Sequence, residues 1–147
     1  MLAVVDTNVI VSALITRNQE SPTLKVMDYV FSGEIIPLFE DEILAEYQEV
    51  LSRPKFNIPS EKVDYIVRFI RDHGLRCSRV AYLSTLPDEK DRVFYEISLS
   101  LDRSYLVTGN LKHYPSTPKV VTPAEIVQII NETIVAQKCI NETLMSD

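Results

Sequence analysis

Short apolar runs alternate along the chain with longer stretches whose apolar residues recur every three or four positions. The short runs are rich in Val, Ile and Leu, a pattern typical of buried strands. They cover residues 2–5, 35–39, 104–108 and 119–121, with a weaker extended stretch at 75–80. Because strands alternate with helices, we expect a mainly parallel sheet of four to five strands, with helices on both faces.

Helical spacing and capping residues define the segments between the runs. Ser21-Pro22 is a typical helix start, and Gly33 and Gly74 each follow a predicted helix end. Helices are predicted over residues 9–14, 22–32, 41–52, 60–73 and 88–101, and from residue 123 onward. No linker interrupts the pattern, so the 147 residues are expected to form one domain.

Acidic or amide side chains lie where several of these apolar segments end. Asp6 directly follows the first run, Asn110 follows the third strand, and Asp91 lies near the start of a helix. The carboxyl ends of parallel strands share one edge of the sheet, where functional groups gather. Carboxylates gathered there would repel one another without a divalent cation, and oxygen ligands suit Mg²⁺ or Mn²⁺. The sequence therefore predicts a metal site and metal-assisted chemistry on phosphates.

A fourth acid, Glu46, lies inside the helix predicted over residues 41–52. Of the glutamates at positions 42, 46 and 49, it is nearest to the apolar stripe centred on Tyr47. It should therefore point toward the sheet edge, whereas Glu42 and Glu49 should point into water.

Each candidate also has a purely structural interpretation. Asp6 is a good residue for capping a helix, and Asp88 and Asp91 could form a capping arrangement. Thr108 could hold a carboxylate or a metal-bound water, but Thr108 to Asn110 could equally be an ordinary turn. His113 is expected at the surface.

The charge distribution adds one candidate surface. The net charge of −6 argues against a general nucleic-acid-binding protein. Residues 53–79, however, hold seven basic and three acidic side chains. This segment could contact phosphates, or it could be a solvated helix face. The candidate phosphate contacts are Arg53, Lys55, Arg68 and Arg71.

The two cysteines and the first residues of the chain indicate the cellular compartment in which the protein is expected. Cys77 and Cys139 form no CxxC or Cys/His cluster, which argues against a disulfide framework or a zinc site. A reducing cytosol fits this usage. Asp6 interrupts the apolar start, which favours a buried strand over a signal peptide or a membrane span. A cytoplasmic protein without a membrane segment is expected.

Taken together, several blocks in this order resemble PIN-domain proteins. The blocks are Asp6-Thr7-Asn8-Val9, residues 43–56, Asp88 with Asp91 and Phe94, residues 105–115, and residues 121–125. The resemblance is closest to the branch described as toxin components of toxin–antitoxin pairs. It covers residues 1–130, and residues 131–147 are expected to be a C-terminal helical extension of the same domain.

The resemblance implies a three-layer α/β/α sandwich and a Mg²⁺- or Mn²⁺-dependent endoribonuclease for single-stranded RNA, with an antitoxin protein as partner. It implies catalytic and metal-binding roles for Asp6, Glu46 and Asp91. Auxiliary roles fall on four further residues, namely Asn8, Asp88, Thr108 and Asn110. Relatives often carry Asp at the position of Asn110.

Other interpretations remain open at this stage. A phosphoaspartate phosphatase would need a second acid where Asn8 stands, and a receiver domain would need a phosphorylatable Asp after a middle strand. A catalytically weak domain that only binds protein or RNA fits Asn110 and the net acidity. Surplus apolar residues on the last helix also predict a homodimer or contact with an antitoxin segment.

Overall fold

A five-stranded, all-parallel sheet forms the centre of the protein. The computed structural model describes residues 1–146, and Asp147, the last residue of the predicted extension, lies outside them. The strands are β1 (Leu2–Val5), β2 (Ile36–Phe39), β3 (Leu75–Arg76), β4 (Ser104–Val107) and β5 (Val120–Val121). Their order across the sheet is β3-β2-β1-β4-β5. The predicted parallel sheet is confirmed.

Helices cover both faces and make this a three-layer α/β/α sandwich. They are α1 (Thr7–Ile15), α2 (Pro22–Ser32), α3 (Asp41–Leu51), α4 (Ser60–His73), α5 (Arg92–Ser98) and α6 (Pro123–Ser146). Three short 3₁₀ turns occupy Pro54–Phe56, Glu89–Asp91 and Leu111–His113. The core consists of the buried residues of β1, β2 and β4 together with the inner faces of the helices.

The predicted helix over residues 88–101 is too long at both ends. A 3₁₀ turn over Glu89–Asp91 comes first, because the side chain of Asp88 accepts a hydrogen bond from the backbone N–H of Lys90, 3.0 Å away. At the other end, α5 stops at Ser98. The Nζ of Lys119, just before β5, donates to the carbonyl of Ser98 and so satisfies one of the free helix-end groups.

Strand register brings the ends of β1 and β4 together at the carboxyl edge of the sheet. Val5 pairs with Val107, and the N–H of Asp6 donates to the carbonyl of Val107 at 2.9 Å. The fully buried Tyr47 of α3 donates its hydroxyl to the carbonyl of Val5. The residue after each central strand and the inner face of α3 therefore meet at this edge.

Within residues 1–146, none of the helices combines the length and the apolar character needed to cross a bilayer.

Candidate active site

Asp6 is the most deeply buried acid of the carboxyl edge, with 4% of its surface exposed. It occupies the cap position of α1, but its side chain makes no capping hydrogen bond there. Its Oδ2 instead accepts hydrogen bonds from the hydroxyls of Thr108 at 2.8 Å and Tyr114 at 2.9 Å. The Nδ2 of Asn8 also lies 3.3 Å from this oxygen. The capping interpretation therefore does not explain Asp6.

Glu46 reaches the same edge from α3. It is half-buried, whereas Glu42 and Glu49 of the same helix are exposed, which is the orientation that the apolar stripe predicts. The hydroxyl of Thr7 donates to its Oε2. Because Thr7 directly follows Asp6, this bond ties the inner face of α3 to the end of β1.

Asp91 reaches the edge from the start of α5. It lies at the cap position of that helix, yet its side chain makes no capping hydrogen bond. Its Oδ2 lies 3.0 Å from the Nδ1 of His113, and only 14% of the Asp91 side chain is exposed. His113 is at the surface as expected, with 41% of its side chain exposed, but it also contacts Asp91, which the sequence did not predict. Asp88, in contrast, is exposed and caps the preceding 3₁₀ turn.

The loop after β4 is fastened to the first turn of α1. The side-chain oxygen of Asn8 accepts a hydrogen bond from the N–H of Gly109 at 3.0 Å. The N–H of Asn110 donates to the hydroxyl oxygen of the fully buried Thr108, also at 3.0 Å. Asn8 thus joins α1 to the loop after β4, and both Asn8 and Thr108 contact Asp6. The side chain of Asn110 is exposed at the rim.

Electrostatic coupling shows that the three acids share one neighbourhood. Burial raises the pKa of Asp6 above its ordinary value, although hydrogen bonds from Thr108 and Tyr114 oppose the shift. Partial burial, followed by the charges of Asp6 and Asp91, raises the pKa of Glu46, against the lowering effect of the Thr7 hydrogen bond. Burial and the charge of Asp6 likewise raise the pKa of Asp91. All three acids therefore resist ionisation, Asp6 because it is buried, and Glu46 and Asp91 because they are partly buried and lie near the charge of Asp6.

The chemistry of this donor set fits a hard divalent cation. A positive ion would stabilise the ionised forms of these three carboxylates, whose pKa values are raised, and their oxygens are the ligands that Mg²⁺ and Mn²⁺ prefer. Among residues 1–146, however, no three His, Cys, Asp or Glu side chains already form a ligand group. Protein donors hold each acid instead, so cation binding would require them to exchange some of these hydrogen bonds.

A comparison of the chain with models of known protein families identifies the family to which it belongs. A family model described as PIN domain matches residues 3–112, well over half of the chain. The chain belongs to the PIN-domain family. No curated protein and no solved structure matches it significantly. PIN domains are generally nucleases and usually bind divalent metal ions. The matched residues include Asp6, Glu46 and Asp91, and therefore all three acids of the carboxyl edge of this PIN domain.

The basic candidates of the PIN domain are all at its surface. Arg53 forms a salt bridge with Glu49 at 2.9 Å and also interacts with the charge of Glu46, which places it near the acids. Lys55, in the 3₁₀ turn that follows, lies over the ring of Phe56. The other two candidates, on α4, are the exposed Arg68 and Arg71. Their role in binding RNA stays a prediction.

Three residues of the site were not among the sequence candidates. Thr7 holds Glu46, Tyr114 holds Asp6 and His113 holds Asp91. Tyr114 is buried, and burial together with the charge of Asp6 raises its pKa, so it remains a neutral donor. The 3₁₀ turn after Asn110 brings His113 and Tyr114 back over the strand ends. All three residues lie within the sequence blocks that resemble PIN-domain proteins, residues 6–9 and 105–115, and this was the sequence signal for them.

Proposed function

We propose that this PIN-domain protein is an endoribonuclease that uses Mg²⁺ or Mn²⁺ to hydrolyse phosphodiester bonds of single-stranded RNA. The observation that carries the proposal is that Asp6, Glu46 and Asp91, three buried or partly buried acids from separate elements, meet at the carboxyl edge of the sheet. Three coupled, half-buried or buried acids from separate elements have no structural use that requires them to be together. They are suited to holding a cation close to phosphate.

Asp6, Glu46 and Asp91 would hold the cation. A divalent ion bound there would lower the pKa of the attacking water. It would also offset the negative charge that develops on the phosphate oxygens. Thr108 and Tyr114 fix the orientation of Asp6, and His113 fixes that of Asp91. Arg53, which forms a salt bridge with Glu49 of the same helix as Glu46, would contact a neighbouring phosphate of the RNA.

We further propose that the protein is the toxin of a toxin–antitoxin pair. The support is the resemblance of the blocks around Asp6, Glu46, Asp91 and Asn110 to that branch of the PIN family. On this proposal, an antitoxin protein would restrict access to the acidic edge. Co-expression with the neighbouring reading frames, followed by a growth assay, tests this part separately from RNA cleavage.

A second candidate function is a PIN domain that binds RNA or protein without cleaving it. Two observations favour it: the residue at position 110 is an amide, and residues 1–146 contain no preformed ligand group. The two candidates differ in whether added metal produces new RNA ends.

Cleavage of a labelled single-stranded RNA in Mg²⁺ or Mn²⁺ tests the proposed function. Glu46→Gln should abolish metal-dependent cleavage, because it replaces a charged oxygen ligand by a neutral amide. Glu42→Gln is the matched control, since Glu42 lies on the same helix but is exposed and paired with Arg79. Loss of cleavage in Glu46→Gln alone supports the nuclease. Cleavage that does not require metal, or equal cleavage by Glu46→Gln and Glu42→Gln, would reject the proposed metal-dependent nuclease.

A further inference from the structure

Asp91 lies on a short turn between two segments, the loop over residues 82–88 and the helix α5. Its N–H donates to the carbonyl of Asp88 at 3.1 Å, which closes the three-residue 3₁₀ turn Glu89–Asp91. A single 3₁₀ turn contains few hydrogen bonds of its own, so the segments on either side decide where it lies. The position of the Asp91 carboxylate therefore depends on how the 82–88 loop is attached to α5.

Arg92, the first residue of α5, attaches the loop. Its guanidinium donates to the carbonyl of Tyr82 and to that of Ser84, the latter at 2.9 Å. Its Nε and Nη2 also donate to the carboxylate of Glu89, at 2.6 and 2.9 Å. Arginine supplies several donors in one rigid plane, whereas a lysine ammonium is a point charge on a flexible stem. The side chain of Arg92 is 20% exposed, so water competes weakly for these bonds.

Glu96, one turn further along α5, holds the same loop. With 6% of its surface exposed, it accepts a hydrogen bond from the N–H of Tyr82 at 2.8 Å and pairs with Arg79 at 2.7 Å. Side chains of α5 thus bind both backbone polar groups of Tyr82. Releasing the loop would leave the buried carboxylate without its N–H partner, which is costly. Two charged residues of α5 therefore fix the loop at Tyr82.

The ring of Tyr82 extends this packing toward Asp6. It meets the ring of Tyr95 edge to face, with centroids 4.8 Å apart, and Tyr95 packs against Tyr114 at 6.4 Å. Tyr114 in turn donates its hydroxyl to Asp6 at 2.9 Å. The 82–88 loop is therefore continuous, through packed side chains, with a residue that holds Asp6 as well as with the turn that carries Asp91.

We propose that Arg92 is a positioning residue of the acidic edge: by attaching the 82–88 loop to α5, it sets where the Asp91 carboxylate lies. Its effect on cation binding rests on the proposed metal-dependent function, whereas its effect on Asp91 does not. Metal ligands must be held to within about 0.5 Å of their productive positions, and their supporting residues provide that precision. Lysine in place of Arg92 cannot bind both carbonyls and Glu89 together, so the turn shifts and Asp91 moves away from His113.

Nitrogen NMR of the His113 imidazole, at fixed pH in a chelator, tests this role without metal or RNA. The signal of Nδ1 reports its contact with Asp91, and the variant Asp91→Asn gives the signal of a missing ionic partner. Arg92→Lys should move the Nδ1 signal toward that value. Leu83→Ser is the matched control: Leu83 belongs to the same loop but exposes 95% of its surface, so its replacement should leave the signal unchanged.

Glu89→Gln is a milder test that keeps the contacts of Arg92 with both carbonyls. Glu89 is 63% exposed, so the protein should fold. The neutral amide pairs more weakly with the guanidinium, so the Nδ1 signal of His113 should move in the same direction as in Arg92→Lys, but less. A wild-type signal in both variants, or in Glu89→Gln where Arg92→Lys does not fold, would overturn the proposal, as would an equal shift in Leu83→Ser.

The affinity for Mn²⁺, measured by electron paramagnetic resonance up to millimolar concentrations, separates positioning from a general effect on the fold. Arg92→Lys should weaken binding about tenfold in the wild-type background. In the Asp91→Asn background the same change should have an effect of less than about twofold, because the ligand that Arg92 positions is already missing. Equal losses in both backgrounds would overturn the proposal. If the wild-type chain does not bind Mn²⁺, the proposed function fails, and the NMR comparison alone decides the role of Arg92.

Discussion

The Nδ1 of His113 lies 3.0 Å from the Oδ2 of Asp91, so a side chain that follows β4 holds an acid that precedes α5. This contact lowers the pKa of Asp91 against the upward effects of burial and of Asp6. It also fixes the direction in which the carboxylate points. His113 therefore acts on the proposed cation site through Asp91.

Replacing His113 tests that relationship. His113→Ala should reduce metal-dependent RNA cleavage by roughly 10- to 100-fold, as changes to groups that orient metal ligands usually do. It should also raise the pKa of Asp91 further, because the variant has no hydrogen bond from the imidazole to the ionised carboxylate. Cleavage kinetics and carboxyl-carbon NMR titration measure the two effects. His73→Ala, at an exposed histidine of α4, is the control, and equal activity of the two variants would contradict this role.

A second prediction concerns the pH dependence of stability without metal. Burial raises the pKa of Asp6 above its ordinary value of 3.8, so the folded state binds protons more readily than the unfolded state. The free energy of unfolding should therefore fall as pH rises from about 3.8 through the folded pKa. Asp6→Asn should remove this contribution and be more stable than wild type at pH 7 by about 1 kcal/mol.

Urea unfolding in a chelator at several pH values measures this difference. The amide oxygen of the variant can still accept from Thr108 and Tyr114, so the fold should be retained. Glu42→Gln, at an exposed glutamate, should leave the pH dependence of the free energy of unfolding nearly unchanged. If the free energy of unfolding of Asp6→Asn depends on pH as that of the wild type does, the surroundings of Asp6 do not destabilise its ionised form.

The sequence predicted the main elements of this site because they depend on local patterns. A short apolar run followed by Asp6, and a helical stripe that places Glu46 inward, are properties of a few neighbouring residues. The end of α5 was not predictable in this way. It depends on Lys119, which is distant in the sequence and reaches the Ser98 carbonyl only in the folded sheet.

The contact of His113 with Asp91 was not predictable from local patterns either. That contact depends on the 3₁₀ turn Leu111–His113 and on where α5 begins. Neither feature shows a regular period in the sequence. The hydrogen bond from Tyr114 to Asp6 likewise joins residues far apart in the chain.

Asn110 provides a third prediction. Asn110 is exposed and its N–H donates to Thr108, which contacts Asp6, and an amide attracts a cation less strongly than a carboxylate does. Asn110→Asp should tighten Mn²⁺ binding several-fold, roughly 1 kcal/mol, and should slightly destabilise the metal-free protein at neutral pH. Calorimetry with and without Mn²⁺ measures both. Identical affinity and identical metal-free melting would place residue 110 outside the site, as a turn residue.

A fourth prediction concerns the basic surface. Replacing Arg53 and Lys55 together by Ala should weaken RNA binding and make its salt dependence shallower, because fewer phosphates are neutralised and fewer counterions are released. The slope of the logarithm of affinity against the logarithm of salt concentration should decrease in magnitude by about one for each phosphate that the removed cations neutralise. Lys25→Ala and Lys138→Ala, at exposed lysines elsewhere, form the control. Affinity measured at several salt concentrations gives the slope. An unchanged slope in the Arg53, Lys55 variant would show that this segment is a solvated face.

The central claim is that Asp6, Glu46 and Asp91 jointly hold one divalent cation. Anomalous diffraction from a crystal soaked in Mn²⁺ tests it most directly, because the ion is located without reference to activity. We expect a peak within about 2.5 Å of oxygens from these three carboxylates. No peak there at millimolar Mn²⁺, or a peak bound by other residues alone, would contradict it.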